Sequence, residues 1–201
     1  MKKTFFMRTF NLNINLIILA SLAGLLGWTL NFLPTHLNLN LPISLNLSPI
    51  TIYLKLGSHY SYWGMTILLT ILAITLIHEI MKRVRFDSLV NYGKSIYHTL
   101  KLRNFLAQRE KSEKITTIES QTIITYNPIN GSFNRCTHKS VVDIQKEEII
   151  VFIKVPKDQQ GQKVLNDITS QLKKEVSSQH PDFYFSSPNR VCNNLWLVGK
   201  K

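Results

Sequence analysis

An uninterrupted apolar run, Trp63–Ile77, constrains this chain more than any other feature. It is followed at once by His78-Glu79 and then by the basic stretch Lys82-Arg83-Val84-Arg85. A helix over the eighteen residues from Trp63 to Ile80 covers roughly 27 Å, close to the hydrocarbon thickness of a bilayer. Three threonines are the polar side chains that precede His78 in this run, so the helix lacks a polar face. That pattern is typical of a membrane span, and a helix buried in a soluble core is the alternative.

A second apolar run, from Leu16 to Leu30, follows the basic residues Lys2, Lys3 and Arg8. This order also fits a secretory signal, but the exit Asn31-Phe32-Leu33-Pro34 carries no cleavage signature. The sequence therefore predicts an uncleaved first span over about 14–33, a second span over about 63–81, and a membrane hairpin that occupies residues 1–81.

Small residues recur in the first predicted span at a spacing of four. They form two pairs, Ala20 with Gly24 and Ala23 with Gly27. Small side chains on one face allow two helices to approach closely in lipid. We therefore expect these four residues to pack one span on another, although Gly and Ala are also common in such helices without any packing role.

The distribution of basic residues predicts the topology of the hairpin. The loop 34–62 contains one lysine and no arginine, whereas basic residues flank both spans on their other sides. The positive-inside rule then places both termini in the cytoplasm and the loop outside. Within the loop, apolar residues alternate over Leu37–Leu47 and, in another phase, over Ile50–Leu56, which predicts two short strands.

Positive charge is densest after the second span. The chain has a net charge of +12, and residues 82–114 carry nine Lys and Arg against three acids. From Val84 to about Lys111 the pattern predicts a basic amphipathic helix, which can lie on lipid headgroups or pack on a sister helix. We expect six of its cations to hold headgroups or phosphates, with a merely solvated face as the alternative: Lys82, Arg83, Arg85, Lys94, Lys101 and Arg103.

Residues 115–201 predict a small cytosolic domain of β-β-β-α-β-β order, which makes the fold class α+β. Glu148–Val155 is nearly continuous in apolar residues, as a central strand requires. Asp158 can cap a following helix whose apolar stripe runs from Val164 to Val176. Asn130-Gly131 predicts a turn between the first two strands.

The sequence offers no motif for catalysis or for a cofactor. It contains no G-x-x-x-x-G-K-[S/T], G-x-S-x-G, H-E-x-x-H or C-x-x-C pattern. Cys136 and Cys192, even with His138 and His180, lack the spacing of a zinc site. We therefore expect a protein that is not an enzyme and binds neither metal nor cofactor.

As a whole, the layout resembles the N-terminal membrane and adapter region of FtsK/SpoIIIE-type DNA-translocase coupling proteins of Gram-positive conjugative elements. The resemblance rests on the two spans, on Lys82-Arg83-Val84-Arg85-Phe86-Asp87 and on the aromatic-rich strand Asn194-Leu195-Trp196-Leu197-Val198. In that family a motor ATPase with a phosphate-binding loop follows this region, and the present sequence ends before any such motor.

The resemblance implies a membrane-anchored, non-catalytic adapter for DNA transfer. Its expected partners are the lipid bilayer, further copies of itself, a separate motor ATPase, a relaxase–DNA complex or membrane proteins of a transfer channel, with weak non-specific DNA contact. The alternative is a small membrane protein for exclusion, immunity or regulation that acts through its outer loop.

Overall fold

The computed structural model describes residues 1–36, 48–108, 114–116, 122–124 and 128–201. Over these residues the chain forms five helices and seven strands, and the fold class is α+β, as predicted. The chain divides into two compact units. We call Arg8–Met81 the hairpin unit, and Met1–Met7 together with Lys82–Lys201 the α+β unit.

Two long apolar helices make up the hairpin unit. Helix α1 spans Phe5–His36 and helix α2 spans Ser48–Phe86, so both extend beyond the predicted spans. Their 32 and 39 residues correspond to roughly 48 and 58 Å, more than the ~30 Å of a hydrocarbon core. The most apolar window of each helix is only 11% buried, whereas a soluble core helix is mostly buried. Both helices are therefore long and apolar enough to cross a membrane.

Hydroxyl groups in these helices find their acceptors inside the protein. Ser61 donates to the carbonyl of Ala23 at 2.7 Å, and Thr75 donates to Asn13 Oδ1 at 2.8 Å. Thr66 and Thr70 donate to carbonyls of their own helix. Since no water is present in a hydrocarbon core, such internal acceptors are what a polar side chain requires there.

The strand predicted at Ile50–Leu56 is wrong, because this segment belongs to α2. A helix that is exposed to lipid on most sides does not require apolar residues at the 3.6-residue spacing of an amphipathic helix. Apolar residues that alternate are therefore compatible with a helix here. The other predicted strand, over 37–47, lies outside the described residues.

A five-stranded antiparallel sheet forms the α+β unit, in the order β3-β4-β7-β5 with β6 also paired to β7. Two short strands, β1 and β2, form a separate antiparallel pair. The bounds are β1 Lys114–Thr116, β2 Thr122–Ile124, β3 Val141–Ile144, β4 Glu148–Lys154, β5 Tyr184–Phe185, β6 Asn189–Val191 and β7 Asn194–Lys200. Three further helices are α3 Leu89–Leu106, α4 Pro128–Thr137 and α5 Gln159–Gln179.

The order of elements after residue 113 therefore departs from the predicted β-β-β-α-β-β. Helix α4 intervenes between β2 and β3, and it includes Asn130-Gly131, which was expected to form a turn. An Asn-Gly pair makes a hairpin turn when the strands on its two sides pair with each other. Here β2 and β3 belong to different sheets, so the prediction fails.

One face of the sheet carries the hydrophobic core. Ile149, Val151 and Ile153 of β4 pack there with Leu172 of α5 and Phe133 of α4. Helix α5 begins as predicted at Asp158, whose carboxylate accepts the amide of Gly161 at 2.8 Å. On the opposite face Phe152 meets Trp196 edge-on at 5.1 Å, and the Lys3 ammonium lies 3.9 Å from the Phe152 ring centre.

Helix α3 lies along the outer edge of β3, and its side chains bond to that edge. The Thr99 hydroxyl accepts the amide of Val142 at 3.0 Å, and the Ser95 hydroxyl accepts the amide of Ile144 at 2.9 Å. Arg103 Nε donates to the carbonyl of Ser140 at 2.9 Å. The three helical residues are spaced by four, which is ~6 Å along the helix axis, and their partners in the strand are spaced by two, which is ~6.6 Å along the strand. The two spacings match, so each helical side chain reaches one backbone group. We call Ser95, Thr99 and Arg103 the edge ladder; it satisfies backbone groups that an edge strand otherwise exposes.

Replacing Thr99 by the isosteric valine tests the edge ladder. The buried amide of Val142 would lose its acceptor, so Thr99→Val should lower the free energy of unfolding of the α+β unit by about 1–3 kcal/mol. Thr169→Val is the matched control, because the Thr169 hydroxyl donates to Leu165 within its own helix. Hydrogen exchange of the β4 amides in the full chain gives both values. Equal losses in the two variants would contradict the role of the ladder.

Candidate functional site

The structure separates the six cations that the sequence grouped as headgroup or phosphate contacts. Lys82, Arg85, Lys94 and Lys101 are exposed, and their ammonium or guanidinium groups lie on the surface of the α+β unit. The prediction for Arg83 is wrong, because its guanidinium is buried and bonded within the α+β unit, whereas Arg103 is half-buried and its Nε bonds to the backbone.

Arg83 is 4% exposed and lies between two carboxylates. Its guanidinium donates to Asp87 and to Asp143, and also to the carbonyl of Ile144 at 2.8 Å. Both acids have a second donor, Asn91 for Asp87 and Gln145 for Asp143. A buried carboxylate such as Asp143 is tolerated because a cation and hydrogen bonds compensate its charge. Arg83 therefore closes the α2–α3 corner onto β3 and does not face solvent.

Arg103 is half-buried as the last member of the edge ladder. Its Nε bond to Ser140 fixes the guanidinium beside the start of β3. Arg83 and Arg103 thus bond to the backbone at the two ends of β3, at Ile144 and Ser140. The exposed positive charge of α3 comes from its lysines.

The face of α3 that points away from the domain is apolar. The buried residues of α3 are Ser95, Thr99, Leu102 and Leu106. The sequence pattern predicts one apolar face with Phe86, Leu89, Val90, Tyr97, Leu100 and Leu106. Of these, Leu106 is buried as a core residue, whereas the other five are more than half exposed: Phe86 74%, Leu89 51%, Val90 64%, Tyr97 63% and Leu100 54%. At 100° per residue, Lys94 and Lys101 lie along one border of this outward stripe. Helix α3 therefore has two apolar surfaces: Leu102 and Leu106 pack in the core, and the outward stripe does not.

Two histidines that the sequence did not bring together meet beside that lysine border. His98 of α3 and His180, the residue that ends α5, have ring centres 4.6 Å apart. His98 Nδ1 lies 3.2 Å from Gln179 Oε1. Burial lowers the pKa of both imidazoles, and the positive charges of Lys94 and Lys101 lower it further; the pKa of His180 falls to about 4. The hydrogen bond to Gln179 partly opposes this for His98, and the net effect favours the neutral form of both rings.

Sequence reasoning missed this pair because nothing local signals it. His180 precedes Pro181 and is a plausible helix end, while His98 lies in a helix 82 positions earlier. The contact exists because α3 and α5 lie against the same sheet, and only the strand order reveals that neighbourhood.

The four small residues of the first span lie in the hairpin unit where α1 meets α2. Ala20 is buried and Ala23 accepts the Ser61 hydroxyl. A Cβ added at Gly24 would lie 3.0 Å from Met65 Sδ, and one at Gly27 would lie 3.1 Å from the Tyr62 ring. The backbone of α1 is thus close to side chains of α2 at both glycines.

In the described part of the chain, no group of three or more His, Cys, Asp or Glu side chains is arranged to hold a metal ion. Comparisons with protein-family models, with curated proteins and with solved structures found no match. The functional argument for this chain therefore rests on the geometry of α3 and its neighbours.

Removing Arg83 tests whether it is a structural residue. Arg83→Ala would leave Asp143 buried without a cation, so we expect the α+β unit to lose about 3–5 kcal/mol of unfolding free energy. Asp143→Leu combined with Arg83→Met should cost less than the sum of the two single changes, with a coupling of about 0.5–3 kcal/mol. Denaturant unfolding or β4 amide exchange provides the measurement. Unchanged stability of Arg83→Ala together with weaker phosphate binding would restore the original prediction.

Proposed function

We propose that this chain is a membrane-anchored, non-catalytic adapter of a DNA-transfer apparatus, which recruits a motor ATPase or a protein–DNA substrate to the membrane. The observation that carries the proposal is the outward side of α3. This helix starts seven residues after Lys82 and is locked to the domain through the edge ladder. It nevertheless presents apolar and cationic side chains that its own fold does not use.

Charge and position support a role at a membrane surface. Lys82, Arg85, Lys94 and Lys101 are exposed; the first two lie in the last turns of α2, and the other two follow in α3, which begins at Leu89. Juxtamembrane basic residues of this kind are attracted to anionic headgroups, and the neighbouring apolar stripe suits the interface between headgroups and acyl chains. In the proposal the bilayer is one partner, and further copies, a motor ATPase, a relaxase–DNA complex or channel proteins are the others.

The proposed location is the cell membrane, with two spans and both termini in the cytoplasm. The basic residues on both outer flanks of the hairpin and their scarcity in 34–62 support this orientation. The two free cysteines fit a reducing compartment, where thiols stay unpaired.

Labelling of Cys192 tests the orientation, because this cysteine is exposed. A membrane-impermeant maleimide should leave it unmodified in intact cells and modify it after permeabilisation. The matched control is Tyr53→Cys in a chain without the native cysteines, since Tyr53 is 72% exposed in the proposed outer segment. That control should react in intact cells. Labelling of Cys192 before permeabilisation would place the α+β unit outside and refute the orientation.

Charge reversal on α3 tests the DNA part of the proposal. The full chain in neutral nanodiscs should bind duplex DNA with an affinity that falls steeply with salt, because phosphate contacts release counterions. Lys94→Glu with Lys101→Glu should weaken binding at least ~tenfold at low salt and flatten the salt dependence. Lys174→Glu is the control, since Lys174 is an exposed lysine of α5. Binding that is absent, or insensitive to salt and to the α3 reversal, would refute DNA contact by this helix.

A second candidate, an exclusion, immunity or regulatory factor, is favoured by the N-terminal part of α2. Ile52, Tyr53 and Tyr60 are 64%, 72% and 67% exposed there, so this segment offers a partner an apolar surface. A factor acting through the outer segment would keep its activity when the lysines of α3 are reversed, and this separates the two candidates.

A further inference from the structure

The His98–His180 pair lies where two concave surfaces of the α+β unit meet. On one side is an open groove of ≈430 Å³, and on the other a smaller cavity of ≈240 Å³. Both surfaces include His98, Gln179 and His180 among their lining residues. The imidazoles are therefore accessible from two sides.

The open groove gathers cations from separate parts of the fold. Lys94 comes from α3, Lys146 from the β3–β4 turn and Lys201 from the residue after β7, and Asp182 is the one acid in the lining. The amide side chains of Asn91, Gln145 and Gln179 also line the groove, and each already donates one hydrogen bond, to Asp87, Asp143 and Glu175 respectively. Three lysines against one aspartate leave the lining with a net positive charge, and a concavity of this kind attracts an anion.

The smaller cavity has a different character. Leu102, Phe105, Val142, Leu172 and Val176 are among its lining residues, with Lys101 and Glu175 as its charged groups. It suits a hydrocarbon group better than a second anion, and it adjoins the groove through the shared histidines.

We propose that the groove is a binding site for a phosphate-bearing anion, held by Lys94, Lys146 and Lys201 and by both imidazoles in their protonated form. Phosphate matches this set of donors because it carries close to two negative charges and three strong acceptor oxygens. The groove is larger than inorganic phosphate alone needs. The adjoining apolar cavity favours a phosphate whose ester group carries carbon, such as a lipid headgroup with the start of its chains.

The lowered pKa of both histidines links anion binding to proton uptake. Burial and the nearby cations depress the pKa of both rings, and an anion between them would raise it. The affinity for the phosphate dianion should therefore increase as the pH falls from 7.5 to 6, because the protein holds more protons in the bound state than in the free state. The fraction of the probe that is a dianion also falls in this range, since its second pKa is roughly 6, so affinities are compared per dianion. The charged groups that face the pair are Lys94 and Lys101 of α3, Glu175 of α5, Asp182 after it, Lys146 of the β3–β4 turn and Lys201.

A histidine NMR titration of the full chain in phosphatidylcholine nanodiscs tests the site directly. The probes are inorganic phosphate and soluble short-chain phosphatidic acid, each against sodium chloride of equal ionic strength. We expect the pKa of His98 and His180 to rise with a phosphate probe. The ring signals of exposed His138, which lines neither concavity, should not respond to the probe and serve as an internal reference. Tighter binding of phosphatidic acid would assign a lipid source, and equal binding a free phosphate.

Variants decide whether the named residues form the site. Lys94→Gln and Lys146→Gln should each weaken binding at least ~fivefold, and His98→Gln with His180→Gln should abolish the tightening at pH 6. Lys174→Gln, outside the lining, should have no effect, and β4 amide exchange confirms that each variant is folded. No response to either probe, the same response to chloride, or equal weakening by Lys174→Gln would overturn the proposal. Because the titration uses no DNA, a negative result here leaves the adapter proposal standing, and failure of DNA binding leaves this site standing.

Discussion

The outer edge of β3 is the constraint on which the rest of the α+β unit depends. An edge strand presents unpaired amides and carbonyls, and a buried one must find partners for them. Here the partners come from a helix. The hydroxyls of Thr99 and Ser95 accept the amides of Val142 and Ile144, and Arg103 donates to the carbonyl of Ser140. Arg83 adds a donor to Ile144 and neutralises Asp143 on the same strand. The backbone groups at this edge of the sheet are therefore bonded by side chains of α3 and of the α2–α3 corner.

This solution fixes the rotation of α3 about its own axis. Because the hydroxyl face must point to β3, the stripe with Leu89 and Tyr97 points outward, and the lysines and His98 take the flank next to α5. The exposed apolar surface is thus a consequence of how the strand edge is satisfied. A rotation of α3 that buried Leu89 and Tyr97 would turn Ser95 and Thr99 away from β3 and leave the amides of Ile144 and Val142 without these acceptors.

Elements whose hydrophobic pattern is unambiguous were predictable from the sequence. Glu148–Lys154 lies at the centre of the sheet with both neighbours paired, and α5 begins at the predicted cap, Asp158. The buried face of α3 was not predictable, because Ser95 and Thr99 are polar and a hydrophobic periodicity assigns them to solvent. Their burial is favourable only because β3 offers amides at the matching spacing, which is tertiary information. Arg83 was misassigned for the same reason, since its carboxylate partner Asp143 is 60 residues away.

The same constraint links the candidate anion site to the outward stripe of α3. His98 immediately precedes Thr99, so the bond between Thr99 and Val142 also fixes where the imidazole lies. Lys94 and Lys101 occupy the border between the outward stripe and the histidine pair, one residue from Ser95 and two from Thr99. An anion held by the pair would therefore lie against a helix that cannot rotate away from it. The outward stripe, the two lysines and the histidine pair are neighbours on one surface. This surface is apolar at the stripe and cationic at the lysines, which is the order of acyl chains and headgroup in an anionic lipid.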